Sequence, residues 1–508
     1  MHVHLIGVCG TGMGALAQLF KEAGHRVTGS DTAFDPPIGD ALRDAGVETL
    51  LGYDERHLQA AGSPDLVVVG NVVPRTNREA IEAERLGLKR ASMSAALRDY
   101  FLIGRTPLVV AGTHGKTTTS SMCAWVLDVA RRTPGYFIGG VPKNLPRGAA
   151  IGDARRRIAT SAAALIDRAY EAMPTPFVVE GDEYDAVYWR KKPKFLDYIG
   201  VGDRDVAIVT SIEFDHIDAY RDVAAYENAF REFVRSVPAT GLIVAAANDP
   251  RVVAIVSEEA LARVSFYALQ GDETFGVTPT WLGAPSVVLA GGAQTFDLFT
   301  GGASCGRLAV GVGGVHNVRN AIAALAACAE GFGVPVQHSR AAIASFTGVR
   351  RRLDLLGSPG GILVYDDFAH HPTAVRATLS ALRDRHPNAR ILAIFEPRSA
   401  TACRNLHQDD YAKAFDAADQ VILAPLGRSG IADSEKLDLR RLATELPRPT
   451  KLADSSAAIL ELLCAEARQG DVIAILSNGS FGGLHAKLIT ELEKRHAWDP
   501  SAKVASSG

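Results

Sequence analysis

Cysteine is scarce in this sequence and never paired. The six present (Cys9, Cys123, Cys305, Cys328, Cys403, Cys464) are scattered without a CxxC spacing, which argues against a disulfide framework or a cysteine-built zinc site and for reduced thiols. An excess of one charge is also missing: 54 basic side chains against 57 acidic ones leave a formal net charge of −3, too little to recruit nucleic acid as the main partner. The runs Arg155-Arg156-Arg157 and Arg350-Arg351-Arg352 are too short to change this. No stretch approaches the roughly 18 unbroken apolar residues of a membrane span, and the first residues show no basic leader, so no membrane association and a cytoplasmic location are expected.

What the sequence does have is length and a repeating pattern. A chain of 508 residues, 47% of them apolar, exceeds one ordinary core and suggests about three domains. Short β-branched runs, each followed by a Gly or polar turn and then an Ala/Leu-rich helical stretch, recur at residues 3–8, 66–70, 108–111, 177–179, 206–210 and 242–245. They continue at 362–365, 391–395, 421–424 and 472–476. Most are apolar throughout, as in parallel strands covered on both faces, so the expected class is α/β. Polar punctuation at Gly104-Arg-Thr-Pro107 and a break near residues 345–348 divide the chain. We expect a Rossmann-like domain over 1–106, a phosphate-loop domain over 107–346 and an α/β domain over 347–508. Residues 275–314, Gly-rich with short alternating runs, predict a small antiparallel sheet attached to the middle domain. The Arg/Ala-rich stretch 142–176 reads as an insertion carrying one helix, and the tail after Trp498 as disordered.

The clearest motif is Ala111-Gly-Thr-His-Gly-Lys-Thr-Thr-Thr119, lying between an apolar strand and a helical stretch. Glycines there let amide groups approach phosphate oxygens, and the helix start adds a favourable dipole. Gly112, Thr113, His114, Gly115, Lys116, Thr117 and Thr118 are the candidate loop. Lys116 would meet the terminal phosphates and the Thr117 hydroxyl a Mg²⁺ ion. Val110 stands where the full phosphate-loop pattern has its first glycine. A second glycine turn, Gly7-Val-Cys-Gly-Thr-Gly-Met-Gly14, offers Gly10, Thr11, Gly12 and, at the next strand's end, Asp31. This turn alone serves NAD and a UDP-sugar equally well, because both present a pyrophosphate to a helix N-terminus.

Acidic strand ends follow. Glu180-Gly-Asp-Glu-Tyr-Asp185 and Ser211-Ile-Glu-Phe-Asp-His-Ile-Asp218 place hard oxygen ligands, with His216 among them, at the edge where a doubly wound sheet binds ligands. Gly314-Val-His-Asn-Val-Arg-Asn320 offers His316, Asn317 and Asn320 to a base or ribose, although Asn317 could equally be a helix cap. Tyr365-Asp-Asp-Phe-Ala-His-His-Pro372 repeats the polar strand end in the third domain, and the arginine run before it could reach a γ-phosphate.

In this order the motifs resemble those of the Mur ligase superfamily, over all three expected domains. Its signatures are a GTxGKT loop, an acidic strand end, a DH segment, HNxxN, an arginine before the last domain and a DDxxHHP-like segment. The resemblance implies an ATP- and Mg²⁺-dependent enzyme that forms an amide bond through an acyl phosphate. It further implies that Gly10, Thr11, Gly12, Asp31 and Asn71 hold a UDP-sugar, while Lys116 contacts the β/γ-phosphates. Thr117, Glu180 and His216 would serve Mg²⁺, Asn317 and Asn320 adenine, and Arg352, Asp367 and His370 would close on ATP. The helix after the DH segment (Tyr226-Glu-Asn-Ala-Phe-Arg-Glu-Phe233) has no lysine, so the carbamylated lysine of some members is not expected. Phe395-Glu-Pro-Arg-Ser399 and Ser477-Asn-Gly-Ser-Phe-Gly-Gly-Leu-His485 are most similar to the branch that joins UDP-N-acetylmuramate to the murein tripeptide L-Ala-γ-D-Glu-meso-diaminopimelate. The alternative is the branch that adds L-alanine, which usually has a Gln-Pro-His-Arg segment where this chain has Glu396-Pro-Arg398. On position alone, Arg398, Ser399, Asn478 and His485 are candidates for the peptide acceptor.

Overall fold

The structure, a computed structural model, describes residues 1–60, 62–152, 175–289 and 292–497. The helix expected within 142–176 and the tail after Trp498 fall largely or wholly outside these residues.

Three large sheets follow one another along the described residues, with a two-stranded antiparallel hairpin, β10 (Asp185–Val187) and β11 (Arg190–Pro193), beside the second. The first is fully parallel in the order β3-β2-β1-β4-β5, built from β1 (His2–Ile6), β2 (Arg26–Asp31), β3 (Glu48–Leu51), β4 (Leu66–Val69) and β5 (Arg90–Ser92). Its central strands β1 and β4 are buried almost throughout, as the apolar runs require of strands covered by helices on both faces.

The second sheet has ten strands in the order β17-β16-β15-β14-β13-β12-β6-β9-β7-β8. Its parallel heart is β6 (Thr106–Ala111), β9 (Pro176–Glu180), β12 (Val206–Val209), β13 (Leu242–Ala246) and β14 (Arg263–Leu269). Beyond β9 lie β7 (Gly135–Phe137) and β8 (Ala149–Ala150). The antiparallel strands expected beside the middle domain continue its own sheet. β15 (Trp281–Val288) pairs parallel with β14, and β16 (Gln294–Thr300) and β17 (Ala303–Val310) extend the same sheet antiparallel. The apolar residues of β16 alternate with polar ones, as befits one buried face and one wet face. The helix Lys116–Val129 packs on the Ala-rich helix Val315–Phe332, whose small side chains let the two axes approach closely and bring the phosphate loop beside Asn320.

The third sheet runs β18-β19-β23-β20-β21-β22. It comprises β18 (Asp354–Gly357), β19 (Leu363–Asp367), β20 (Ile391–Phe395), β21 (Gln420–Leu423), β22 (Thr450–Leu452) and β23 (Val472–Leu476), all parallel except β18. Among the described residues no helix is long and apolar enough to cross a membrane.

One buried polar knot braces the first sheet. Glu79, fully buried near the start of helix Arg78–Arg85, accepts the Ser30 hydroxyl and the Asp54 amide (3.0 Å). Its oxygens also lie 2.6 Å from His57 Nδ1 and 3.3 Å from His4 Nε2. Burial would raise its pKa, but His4 and Ser30 outweigh it and keep the carboxylate below its ordinary value. Glu79→Ala strands several buried donors at once, so chemical unfolding should show a loss of about 3 kcal/mol. A loss below about 1 kcal/mol, the scale of a single ordinary hydrogen bond, would mean that the knot does not brace the sheet.

Candidate active site

The phosphate loop sits at the C-terminal end of β6, in the middle of the ten-stranded sheet. Gly112 (φ +134°) and Gly115 (φ +79°) adopt left-handed backbone. A Cβ on Gly115 would meet Asn320 Oδ1 at 2.6 Å, and one on Gly112 would meet Thr210 Oγ1 at 2.1 Å, so neither position admits a side chain. His114 N–H donates to Ser211 Oγ (3.0 Å) and the Thr113 hydroxyl to the Glu213 carbonyl (2.8 Å), tying the loop to the end of β12.

Lys116 folds back over this loop. Its Nζ donates to the Gly112 carbonyl at 2.6 Å and lies 2.8 Å from Glu183 Oε2. Burial alone would lower its pKa, but Glu183 reverses the sign and keeps the lysine charged. Glu183, 1% exposed, is the hub of the site. Burial opposes its charge, yet Lys116 and then His216 bring its pKa down to about 2. His216 Nε2 is 3.1 Å from Glu183 Oε1, in a residue held at φ +56°. Burial acts to lower the imidazole's pKa, but Glu183 and Asp215 lift it to about 9. Thus His216 meets Glu183, and not Thr117 or Glu180, in this conformation. Of the three residues expected around Mg²⁺, Thr117 and Glu180 pair with each other and His216 pairs with Glu183. The Thr117 hydroxyl donates to Glu180 Oε1 at 2.6 Å, and Glu180 Oε2 accepts the Gly139 amide at 2.6 Å. Burial, with Asp182 nearby, raises the Glu180 pKa, so this carboxylate gains from an added cation.

Beside the loop opens a cavity of about 260 Å³. His114, Gly115 and Thr117 line one wall, Asn317 and Asn320 another, and Arg352, Asp367 and Thr373 close it from the C-terminal domain. Asn317 Nδ2 donates to the Gly313 carbonyl (2.6 Å) and Asn320 Nδ2 to Asn317 Oδ1 (3.1 Å), so Asn317 is no simple helix cap. Burial, with Arg319 and Arg352, pushes His316 down to about 4, leaving a neutral ring beside them. Of the arginine run, Arg352 enters the cavity and donates to Thr117 Oγ1 (3.4 Å). Arg351 turns away to Asp366 and the carbonyls of Ser477 and Gly479. Asp367 is buried and accepts the Leu353 and Ala369 amides (2.7 and 2.8 Å). His370 reaches across the domains to Asp215 (3.6 Å).

At the first sheet's edge, Gly10 and Thr11 are exposed where the helix Thr11–Glu22 begins, and Asn71 is exposed after β4. Gly12 is a packing residue: a Cβ there would lie 2.6 Å from Met93 Sδ and 3.7 Å from Phe137. Asp31 holds the turn itself, accepting the Cys9 amide (2.8 Å) and the Tyr53 hydroxyl (3.3 Å).

The acceptor candidates separate in the same way. Ser399 Oγ accepts the Ala402 amide (3.0 Å) and His485 Nε2 pairs with Asp366 (3.1 Å), so each has a local partner. Arg398 lies over Gly479 and Gly427, where any Cβ would strike it, and its partly exposed guanidinium is 3.5 Å from Glu396. Asn478 Oδ1 is buried with no hydrogen-bond partner among the described residues. Glu183, Glu213, Asp215 and His371 received no role from the sequence, although all four stand inside segments it singled out.

Three crossover sheets with a nucleotide-type loop at the centre and closing groups from the last one define a multidomain phosphate-transferring enzyme. Family profiles agree along the chain: the Mur ligase family catalytic domain matches residues 2–102, the Mur ligase middle domain 110–328, and the Mur ligase glutamate ligase domain 351–479. The chain is 34% identical to the UDP-N-acetylmuramate–L-alanyl-γ-D-glutamyl-meso-2,6-diaminoheptandioate ligase of Haemophilus influenzae, over 97% of this chain and 99% of that protein. It is 33% identical to a UDP-N-acetylmuramate–L-alanine ligase of Kineococcus radiotolerans, covering 97% and 96%. The crystal structure of a murein peptide ligase from Psychrobacter arcticus superposes with a TM-score of 0.70 at 33% identity, covering 97% of this chain and 99% of that one. The chain belongs to the Mur ligase family.

Proposed function

We propose that this chain joins the lactyl carboxylate of UDP-N-acetylmuramate to the free amine of L-Ala-γ-D-Glu-meso-diaminopimelate, with cleavage of ATP to ADP and phosphate. The observation that carries this reading is the meeting of Thr117, itself paired with Glu180, and Arg352 in one cavity at the phosphate loop, with Lys116 folded back over that loop. The full-length similarity to ligases named for that tripeptide supports it.

A carboxylate is a poor electrophile. Transfer of the γ-phosphoryl group to its oxygen gives an acyl phosphate; the amine then attacks the carbonyl carbon, phosphate leaves, and the amine proton passes to solvent or a nearby base. Lys116 exchanges its loop carbonyl for phosphate oxygens, and Arg352 approaches the same charge from the other domain, so both act electrostatically where charge develops. The Thr117 and Glu180 oxygens, 2.6 Å apart, suit the hard oxygen coordination of Mg²⁺. Such an ion would neutralise phosphate charge when bound. His216 could join it only as the neutral ring. Asn317 and Asn320 take the base, and Gly10, Thr11 and Asn71 the UDP moiety. On the acceptor side Arg398 takes a carboxylate and Asn478 Oδ1 an ammonium of the zwitterionic diaminopimelate end. The substrates place the reaction in the cytoplasm, in the recycling of wall peptide.

Phosphate release measured with UDP-N-acetylmuramate, ATP and either tripeptide or L-alanine tests this. The tripeptide should be preferred by about 100-fold or more in kcat/KM, because unmet charges at the acceptor end penalise the smaller amine. Preference for alanine would move the chain to the sibling reaction. No release with either would remove the ligase reading.

A further inference from the structure

A cluster of ligand-type side chains remains outside this chemistry, where the phosphate loop meets the third sheet's domain. We propose that His114, Glu213 and His371 form a second cation site, specific for a d-block divalent ion such as Zn²⁺, which staples the phosphate loop to the C-terminal domain. The three come from separate elements: the loop after β6, the segment after β12, and the residue capping the helix Pro372–Arg385.

Glu213 Oε2 lies 3.2 Å from His114 Nε2 and 3.4 Å from His371 Nδ1, and one ligand atom from each residue falls within 4.8 Å of the others. Bonds of about 2.0–2.1 Å in a tetrahedron put neighbouring ligand atoms about 3.3–3.4 Å apart. Two edges of the triangle therefore already match. The third closes by rotation of the His114 ring, which is only partly buried on its loop. Two imidazoles and one carboxylate favour Zn²⁺, Ni²⁺ or Cu²⁺ over the Mg²⁺ that the oxygen pair of Thr117 and Glu180 suits.

Glu213 and His371 are in the protonation states that ligation needs. Burial opposes the charge on Glu213, but His114 and Thr373 bring its pKa down to about 2. Burial, with His114 nearby, drives His371 to about 3, so its ring is neutral. Thr373 supports the carboxylate, donating its hydroxyl to Glu213 Oε2 at 2.7 Å. His371 is 6% exposed, its Nδ1 takes only a long 3.3 Å bond from the Thr373 amide, and its Nε2 has no hydrogen-bond partner among the described residues. An ion at Nδ1 would replace that long contact with a bond of about 2.0–2.1 Å. His114 and Glu213 line the nucleotide cavity, so water or a phosphate oxygen can fill the fourth position. An ion held there resists separation of the two domains.

The test uses the metal-stripped full chain dialysed against Zn²⁺ with Mg²⁺ in about hundredfold excess, conditions that only a nitrogen-containing site survives. One equivalent of Zn²⁺ should be retained, the melting temperature should rise, and Co²⁺ in its place should give the intense visible absorption of a tetrahedral ion. Retention should fall by about tenfold or more in His371→Ala, Glu213→Gln and His114→Gln, and persist in Glu180→Gln. His114→Gln, on a loop, guards against misfolding as the cause, with melting in metal-free buffer as its control. Displacement by Mg²⁺, equal retention in the three variants, or loss in Glu180→Gln would each overturn the proposal.

Discussion

Lys116→Ala should lower the rate of ligation and of substrate-dependent phosphate release by about 10³-fold while leaving the protein folded. The lysine does not hold the fold together: β6 and the helix Lys116–Val129 are secured by apolar packing, and the loop by Ser211, Glu213 and Thr210. Its loss leaves Glu183 with His216 as its remaining cation, so the stability cost should stay within about 1–3 kcal/mol. The rate cost is larger because the transferring phosphoryl group develops charge in a cavity where water cannot replace an ammonium. Steady-state assays beside a thermal melt separate the two effects. Near-normal turnover in a folded Lys116→Ala protein would mean that the triphosphate binds elsewhere. Lys116→Arg should not rescue fully, since a planar guanidinium cannot follow the lysine's path past the Gly112 carbonyl.

Much of the architecture was legible because parallel strands buried on both faces are apolar along their whole length, as in β4, β12 and β23. Strands that carry charge escaped: β3 begins with Glu48, β5 and β14 with arginine, and β22 is Thr-Lys-Leu. The antiparallel strands β15–β17 were visible as alternation. Their membership of the central sheet was not, since it depends on β15 pairing beside β14. The phosphate loop could be read because its parts are contiguous. Glu183 could not be told from Glu180 and Asp182, for all three stand within four residues, and only the folded path of the loop decides which faces Lys116. Arg352 and Arg351 likewise diverge by their backbone, not their type. His371 meets Glu213 across 158 positions, a pairing no spacing announces.

The position of Glu183 between two cations makes its neutral replacement the second decisive test. In the metal-free protein, Glu183→Gln removes the charge that holds the His216 proton up to about pH 9, while the burial and the Lys116 charge that oppose that proton remain. The His216 ring should then titrate at or below its ordinary value, which its NMR shift can follow. The signs of the stability terms are set by the direction of each shift. His216, with a raised pKa, contributes stability that is full below about 6.5 and is lost as pH rises through about 9. Glu183, with a depressed pKa, contributes above about 4.5 and loses it as pH falls towards about 2. Wild type should therefore soften on both the alkaline and the acid side, and Glu183→Gln should lose both of these dependences. Turnover at neutral pH should fall by about 10²-fold, through kcat more than through the KM for ATP, because Lys116 keeps its loop carbonyls while His216 loses the group that orients it. If the variant keeps the wild-type pH profile and kcat, Glu183 is only a buried counterion, and the pairing of Lys116 with His216 through it has no part in the chemistry.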